Sequence, residues 1–247
     1  MSSTRAEPVP RRRFRFQLWP TLMTLAGVAV LLGLGTWQLQ RLAWKEGLIA
    51  AAEAGLAAPP VALPAVAELA DLDYRHVIVR GRYLHDRAFA FGLEASGNQP
   101  GARLITPFQL DDGRIVLIDR GWLPEDLLPP RVPDGLEPTG ERELTGVARW
   151  RARSGRNFLT PADDPARRRW FAWDVAAMAE ATSLPLLPLV LTLDRSDGPA
   201  GLPRPSPVNA EFRNDHLGYA ITWYGLAAGL VAVYLLYSLQ RPDERPS

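Results

Sequence analysis

The sequence predicts a membrane α+β protein: two transmembrane helices, N- and C-terminal, flank an outward-facing antiparallel β-sheet or partial-barrel domain with a few helices. Three observations carry this expectation. Residues 16–40 contain no Asp, Glu, Lys or Arg, the stretch between His216 and Arg241 contains none either, and between these stretches apolar residues pass from helical spacing to short runs bounded by turn residues. The chain has 247 residues, 47% of them hydrophobic, a formal net charge of +1 and no cysteine. Near-neutral charge argues against nucleic acid as a partner, because phosphates call for a basic surface. The missing cysteines exclude disulfides, thiol nucleophiles, thiolate metal sites and covalent attachment of c-type haem. His76, His85 and His216 remain as imidazole ligands.

The first helix is expected over 16–40. A rise of about 1.5 Å per residue requires roughly 20 residues to cross about 30 Å of hydrocarbon, and residues 21–40 meet that length. Pro20 suits the first turn, where its missing N–H costs little, and Trp19 and Trp37 mark the two interfaces. A cleaved signal peptide shares the basic start and apolar run, but the run is too long and no clear A-x-A site follows it. Arg5, Arg11, Arg12, Arg13 and Arg15 precede the span, against Arg41 and Lys45 after it, which keeps the amino terminus cytoplasmic. Leu42, Lys45, Leu48, Ile49 and Ala52 continue the helical spacing past the membrane, until Gly55 and Pro59-Pro60 break it.

The domain over 41–216 should then consist of strands at 76–83, 87–93, 102–110, 114–122, 141–150, 169–173 and 187–194. Asp112-Gly113 supplies a positive φ for a tight turn between the third and fourth, hence an antiparallel hairpin. A short helix over 174–182 is capped by Asp174. The Pro-rich stretches 124–138 and 199–207 are ordered or semi-rigid connectors. The second span occupies 217–240, with Asn214 or Asp215 as N-cap, Tyr219, Trp223 and Tyr224 near one end and Tyr234 and Tyr237 near the other. Parity puts residues 1–15 and 241–247 both in the cytoplasm and the middle domain outside.

No nucleophile motif, zinc-protease motif, P-loop or dinucleotide fingerprint occurs, so an enzyme is not expected. Asp163-Asp164, between prolines, shapes a turn rather than a carboxylate pair. Arg167, Arg168 and Arg169 form a solvated loop or a rim for a partner. His76 and His85 are read as ordinary surface histidines. His216 differs, because it stands where the second span begins: a helix amino terminus disfavours imidazolium, and neutral imidazole is the form that binds a metal such as haem iron. Gly218, Thr222, Gly225, Gly229 and Ala232 form a smooth stripe for another helix or a flat porphyrin, and Ala29, Gly33 and Thr36 a shorter one. Arg41 and Arg213 could pair with propionates, and Trp37, Trp223 and Tyr219 lie near the same boundary. Each has a plainer reading: small residues for helix packing, aromatic residues for the interface belt, arginines for headgroups, and an interfacial histidine for water and lipid.

Three motifs then resemble one known family. They are Leu34-Gly35-Thr36-Trp37-Gln38-Leu39-Gln40-Arg41 with Trp44-Lys45; Thr106-Pro107-Phe108 through Asp119-Arg120-Gly121-Trp122-Leu123-Pro124; and Arg213-Asn214-Asp215-His216-Leu217 with Tyr219 and Thr222-Trp223-Tyr224-Gly225. Pro161-Ala162-Asp163-Asp164-Pro165 with Trp170 and Trp173-Asp174 is a weaker fourth. In this order they resemble the surfeit-locus-protein-1 family of cytochrome c oxidase assembly factors, with Asp119 where that family often has Asn and Gly218 where a longer polar residue is common. The resemblance implies a two-span protein of the bacterial inner membrane with a periplasmic central domain. It implies a non-enzymatic role in inserting haem a, transiently bound, into oxidase subunit I, with haem A synthase as a further partner. It also implies that His216 contributes to haem a binding. The alternative is a scaffold that stabilises nascent subunit I without binding haem.

Overall fold

The computed structural model describes residues 13–14, 16–150, 156, 158–209 and 214–240. In chain order the elements are β1 (Arg13–Phe14), α1 (Leu18–Ala57), β2 (Val61–Ala62), β3 (His76–Tyr83), β4 (Phe89–Ser96), β5 (Gln99–Leu110) and β6 (Ile115–Pro124). They continue with β7 (Arg142–Trp150), β8 (Arg169–Trp170), α2 (Val175–Thr182), β9 (Leu186–Leu193), α3 (His216–Ser238) and β10 (Leu239–Gln240). The chain divides into two compact units, Met1–Ile49 with Phe212–Ser247, and Ala50–Glu211. The expected tails 1–15 and 241–247 lie outside the described residues, apart from the two of β1.

The first unit is a pair of apolar helices, α1 and α3, each long enough to cross a membrane. A core helix of a soluble protein would hide its apolar surface, yet only 6% and 11% of the apolar windows are buried here. α1 continues without a break through residues 41–57, as its spacing predicts, and ends before Pro59-Pro60. The two helices meet along spacings of three and four residues: Ala220, Ala227 and Ser238 of α3 are buried, as are Gly35 and Gln38 of α1. Glycines set the approach. A Cβ at Gly35 would lie 2.9 Å from the Tyr224 ring, and one at Gly27 would lie 2.9 Å from Leu230. Two hydrogen bonds tie the same seam, Thr21 to Tyr234 at 2.6 Å and Thr36 to Tyr224 at 3.1 Å. Beyond the helices, β1 and β10 pair antiparallel, Arg13 with Gln240 and Phe14 with Leu239.

The stripe of Gly218, Thr222, Gly225, Gly229 and Ala232 is exposed and lies off this seam, and an added Cβ at any of its three glycines would meet nothing within 4 Å. At the two closest contacts α1 supplies the glycine and α3 the tyrosine or leucine that fills the space, with Ala220 and Ala227 of α3 buried on the same side.

The second unit is a sheet ordered β2-β3-β7-β9-β6-β5-β4-β8. Here the structure departs from an antiparallel, partly open sheet. β5 pairs with β4 over its first half and with β3 through Phe108–Leu110 at its end, so β3, β7, β9, β6 and β5 close into a five-stranded barrel. An odd ring of strands cannot alternate direction all the way round. β9 accordingly runs parallel to β6, and the short edge strands β2 and β8 are parallel to β3 and β4. Close approach at the seam requires Gly81, where a Cβ would lie 2.0 Å from the Gln109 carbonyl oxygen.

Hydrophobic residues on the two faces of β6 explain why all of that strand is buried. Val116 and Ile118 join Val77, Val79, Phe108 and Leu191 in one cluster, while Leu117 joins Phe89, Ile105, Trp170 and the α2 residue Met178 in another. The hairpin between β5 and β6 turns on Gly113 at φ +84°, with Gly113 N–H donating to the Leu110 carbonyl at 2.9 Å. Only the glycine takes a positive φ, which makes this a three-residue loop. Asp174 caps α2 by accepting from Ala177 N–H at 3.1 Å. β8 stops at Trp170, short of 173, and the Trp173 ring stacks on Phe91 with centroids 4.0 Å apart. Asp163 and Asp164 do shape a turn, accepting from Phe171 N–H at 2.7 Å and Arg167 N–H at 3.0 Å.

Ionic groups lie inside this unit. The Arg120 side chain, 0% exposed, donates to Asp197 at 2.9 Å and to the Leu136 carbonyl at 2.7 Å, and Tyr83 OH donates to the same carboxylate at 2.6 Å. The neighbouring Asp119 is buried, pairs with Arg103 and accepts from Gly121 N–H at 3.1 Å. A Cβ at Gly121 (φ +109°) would lie 2.1 Å from the Arg204 carbonyl oxygen, because Trp122 and Arg204 exchange backbone hydrogen bonds there.

Two tests follow from these contacts. Gly35→Val should cost roughly 1–3 kcal/mol by overpacking the seam, whereas Gly33→Val, where a Cβ meets nothing within 4 Å, should leave the thermal midpoint in detergent nearly unchanged. Equal midpoints would refute the seam. Burial raises the pKa of the Asp119 carboxyl above its ordinary value despite Arg103. Between the ordinary and raised values the folded chain binds more protons than the unfolded one. The contribution of this group to stability is therefore greatest at acid pH and declines as pH rises through that interval. Asp119→Asn removes the titration and keeps an acceptor for Gly121. Midpoints measured against pH should show wild type losing ground to the variant as pH rises, and a constant difference would contradict the assignment.

Candidate functional site

The candidate site grows from the amino end of α3. His216 is the first residue of that helix and Asp215 occupies the N-cap position, although its side chain makes no capping hydrogen bond. The backbone N–H groups of a first turn have no partner within the helix, so that end of α3 carries a partial positive charge. The His216 ring is half-buried against α1, where its Nδ1 lies 2.7 Å from Oε1 of Gln38. Gln38 is a buried polar residue of the helix seam, 9% exposed.

Helical spacing organises the remaining candidates. Tyr219 and Trp223 stand three and seven residues beyond His216, and so share its side of α3. Tyr219 is exposed and Trp223 half-buried. On α1, Trp37 is exposed and Arg41 follows one turn later, its guanidinium 4.4 Å over the Trp44 ring. That contact holds a cation on an aromatic face while leaving its N–H groups to solvent or an anion. Arg213 lies outside the described residues. The structure therefore brings His216 together with Gln38, whereas the sequence reading had grouped it with aromatic residues and arginines. Gln38 was missed as a site residue. Its signal was an uncharged polar side chain inside a span, on the face that also carries Gly35.

The donor set fits a haem iron held by a single protein ligand. One ring nitrogen of His216 is engaged by Gln38, and the other is the atom available to a metal. Two residues earlier in the chain, the Asn214 side-chain oxygen is buried without a hydrogen-bond partner. The exposed glycines Gly218 and Gly225 are not part of this group, since they stand roughly half a turn round α3 from His216.

The other two histidines are partnered rather than free at the surface. His76 Nδ1 lies 3.1 Å from Asp194, and His85 Nε2 lies 2.9 Å from the Pro138 carbonyl, with the ring 5.2 Å from Tyr83. His85 Nδ1 is itself buried, so this half-buried ring packs against the domain rather than projecting into solvent. Of the three arginines in sequence, Arg169 is drawn into the fold by Glu125 and the Gly92 carbonyl. Arg168 adopts a left-handed conformation at the end of a 3₁₀ turn.

A model of the SURF1 family matches residues 25–228, which includes the whole barrel, most of α1 and the first half of α3. The chain is 36% identical over 219 residues to a SURF1-like protein of Monosiga brevicollis, covering 83% of this chain and 82% of that protein. It is 34% identical to Surfeit locus protein 1 of Xenopus tropicalis, over 84% and 71% of the two chains, and 35% identical to the Homo sapiens protein of that name, over 79% and 70%. The chain belongs to the SURF1 family.

Proposed function

We propose that this member of the SURF1 family is a non-enzymatic assembly factor for cytochrome c oxidase that binds haem a transiently and assists its insertion into oxidase subunit I. The observation that supports this reading is the placement of His216: an imidazole at the first turn of an apolar helix, half-buried, with one ring nitrogen engaged by Gln38. Both helices span the bacterial inner membrane in this reading, with the termini cytoplasmic and the barrel periplasmic, following the arginines before the first span. In this reading His216 would hold the iron, Arg41 and Arg213 would be the cations available to the propionates, and Trp37, Tyr219 and Trp223 would be the aromatic residues near the ring. Bound haem a would supply a Lewis-acidic iron for the imidazole nitrogen. The chain would supply one strong protein ligand, which suits release, because two such ligands would retain the group. Subunit I is the receiving partner and haem A synthase the donor, and the bilayer is the medium of both encounters.

Wild-type protein purified from cells that make haem A should carry a Soret band, and His216→Ala should carry at least tenfold less haem per chain and fail to support oxidase activity. A variant that keeps both haem and oxidase activity would refute the ligand. A chain that copurifies with subunit I equally well with and without haem, and that is damaged by substitutions in the barrel rather than at His216, would instead be the scaffold.

A further inference from the structure

A glutamine buried between two membrane-length helices needs a partner, because a carboxamide left unpaired in an apolar medium costs several kcal/mol. Gln38 finds its partner in His216 rather than in the backbone of either helix. The direction of that hydrogen bond follows from the atoms. Oε1 carries no hydrogen and can only accept, so the hydrogen between the two side chains sits on Nδ1 of the imidazole. A neutral imidazole with hydrogen on Nδ1 has its lone pair on Nε2, at the far side of the ring from α1. In water a histidine side chain prefers the other arrangement, with hydrogen on Nε2 and the lone pair on Nδ1, next to its own backbone. The carboxamide therefore reverses the intrinsic preference of the ring.

The helix seam fixes the reach of this contact. Gly35, one turn before Gln38, admits the Tyr224 ring where any side chain would stand 2.9 Å from it. Tyr224 in turn bonds Thr36 at 3.1 Å, so α1 and α3 are set to a close spacing two turns from His216. At that spacing a glutamine side chain spans the gap to the first residue of α3, and the buried position leaves it little other freedom.

We infer that Gln38 is a positioning residue: it holds the His216 ring as the Nδ1–H tautomer and so presents Nε2 as the ligand atom. The metal half of this inference rests on the haem reading above. The tautomer half does not, since it concerns the ring before any ligand arrives. Carboxylates and carbonyls that receive the second N–H of a ligating imidazole orient the ring and raise its basicity, and losing one typically weakens metal affinity by about 10–100-fold. Gln38 stands in that relation to His216 with an amide oxygen.

The test uses the full chain in lipid nanodiscs with ¹⁵N in its histidine rings, His216 being assigned by comparison with His216→Ala. Wild type should show a proton-bearing Nδ1 and a bare Nε2 at His216. Gln38→Leu, similar in volume and apolar, should shift the ring toward hydrogen on Nε2, and Gln38→Glu, which keeps an acceptor oxygen, should restore the wild-type pattern. With ferric haem b as the probe, Gln38→Leu should bind roughly tenfold or more weakly. Gln38→Glu should bind within about threefold of wild type and lower the reduction potential of the bound iron, since the ligand becomes more basic. A bare Nδ1 in wild type, or an unchanged tautomer in Gln38→Leu, overturns the inference. If His216→Ala takes up haem as well as wild type does, the ligand reading falls and takes the metal half of the inference with it. If His216→Ala loses haem while Gln38→Leu binds as wild type does, the ligand reading stands and Gln38 has no positioning role.

Discussion

The helix pair is organised by one steric constraint, the absence of a side chain at Gly35, into which the Tyr224 ring packs. In lipid there is no hydrophobic gain from bringing two apolar helices together, so association relies on close packing and on hydrogen bonds that lipid cannot offer. Both are present at this point, because the same tyrosine that fills the gap left by the glycine bonds Thr36. The pattern repeats toward the other end of the seam, where Gly27 receives Leu230 and Thr21 bonds Tyr234. A pair held at both ends of the seam cannot easily slide or rotate, and a fixed register is what a single contact between Gln38 and His216 requires.

The barrel meets a different constraint with the same economy of residues. Five strands closing on themselves leave one pair parallel, and a parallel pair needs a long crossover rather than a hairpin. The chain between β6 and β9 serves as that crossover, carrying β7, β8 and α2 on the way, and Met178 of α2 joins Leu117 of β6 and Val190 of β9 in one buried cluster. β6 is thereby buried on both sides, which explains a run of apolar residues where an exposed antiparallel strand would alternate. The charged residues of the same strand, Asp119 and Arg120, are accommodated because each has a partner, Arg103 for one and Asp197 for the other. A buried pair of this kind is costly to break and gives little net stability when intact. Its effect is directional, since the two-pronged contact of Arg120 with Asp197, joined by Tyr83, ties the 194–204 segment to the barrel wall.

Local chemistry made most elements readable in advance. The strand over 76–83, the cap at Asp174, the turn at Gly113 and the run of α1 past the charge-free segment all depend on neighbours in sequence, and a propensity or a period carries each of them. What could not be read depends on residues far apart in the chain. Closure of the barrel rests on Gly81 meeting Gln109, and the parallel strand on the path of a crossover. The half-buried place of His85 rests on Pro138. At the candidate site the histidine was singled out by its position at a helix start, which is local. Its partner was not, because 178 positions separate Gln38 from His216 and nothing in either segment names the other.

The arrangement also separates two demands that a single surface could not meet together. The seam of the helix pair consumes the large residues of α3, Tyr224, Leu230 and Tyr234, against the small ones of α1. The glycines of α3, Gly218, Gly225 and Gly229, are left exposed on the face away from that seam, while Ala220 and Ala227 are buried in it. Had α3 packed through its glycines, the helices would have come closer, but the smooth face would have been spent on the pair itself. Packing through the tyrosines keeps that face open while still bringing Gln38 within 2.7 Å of the imidazole. The imidazole thus stands on the seam side of α3, held by Gln38, with the exposed glycines roughly half a turn round the helix from it.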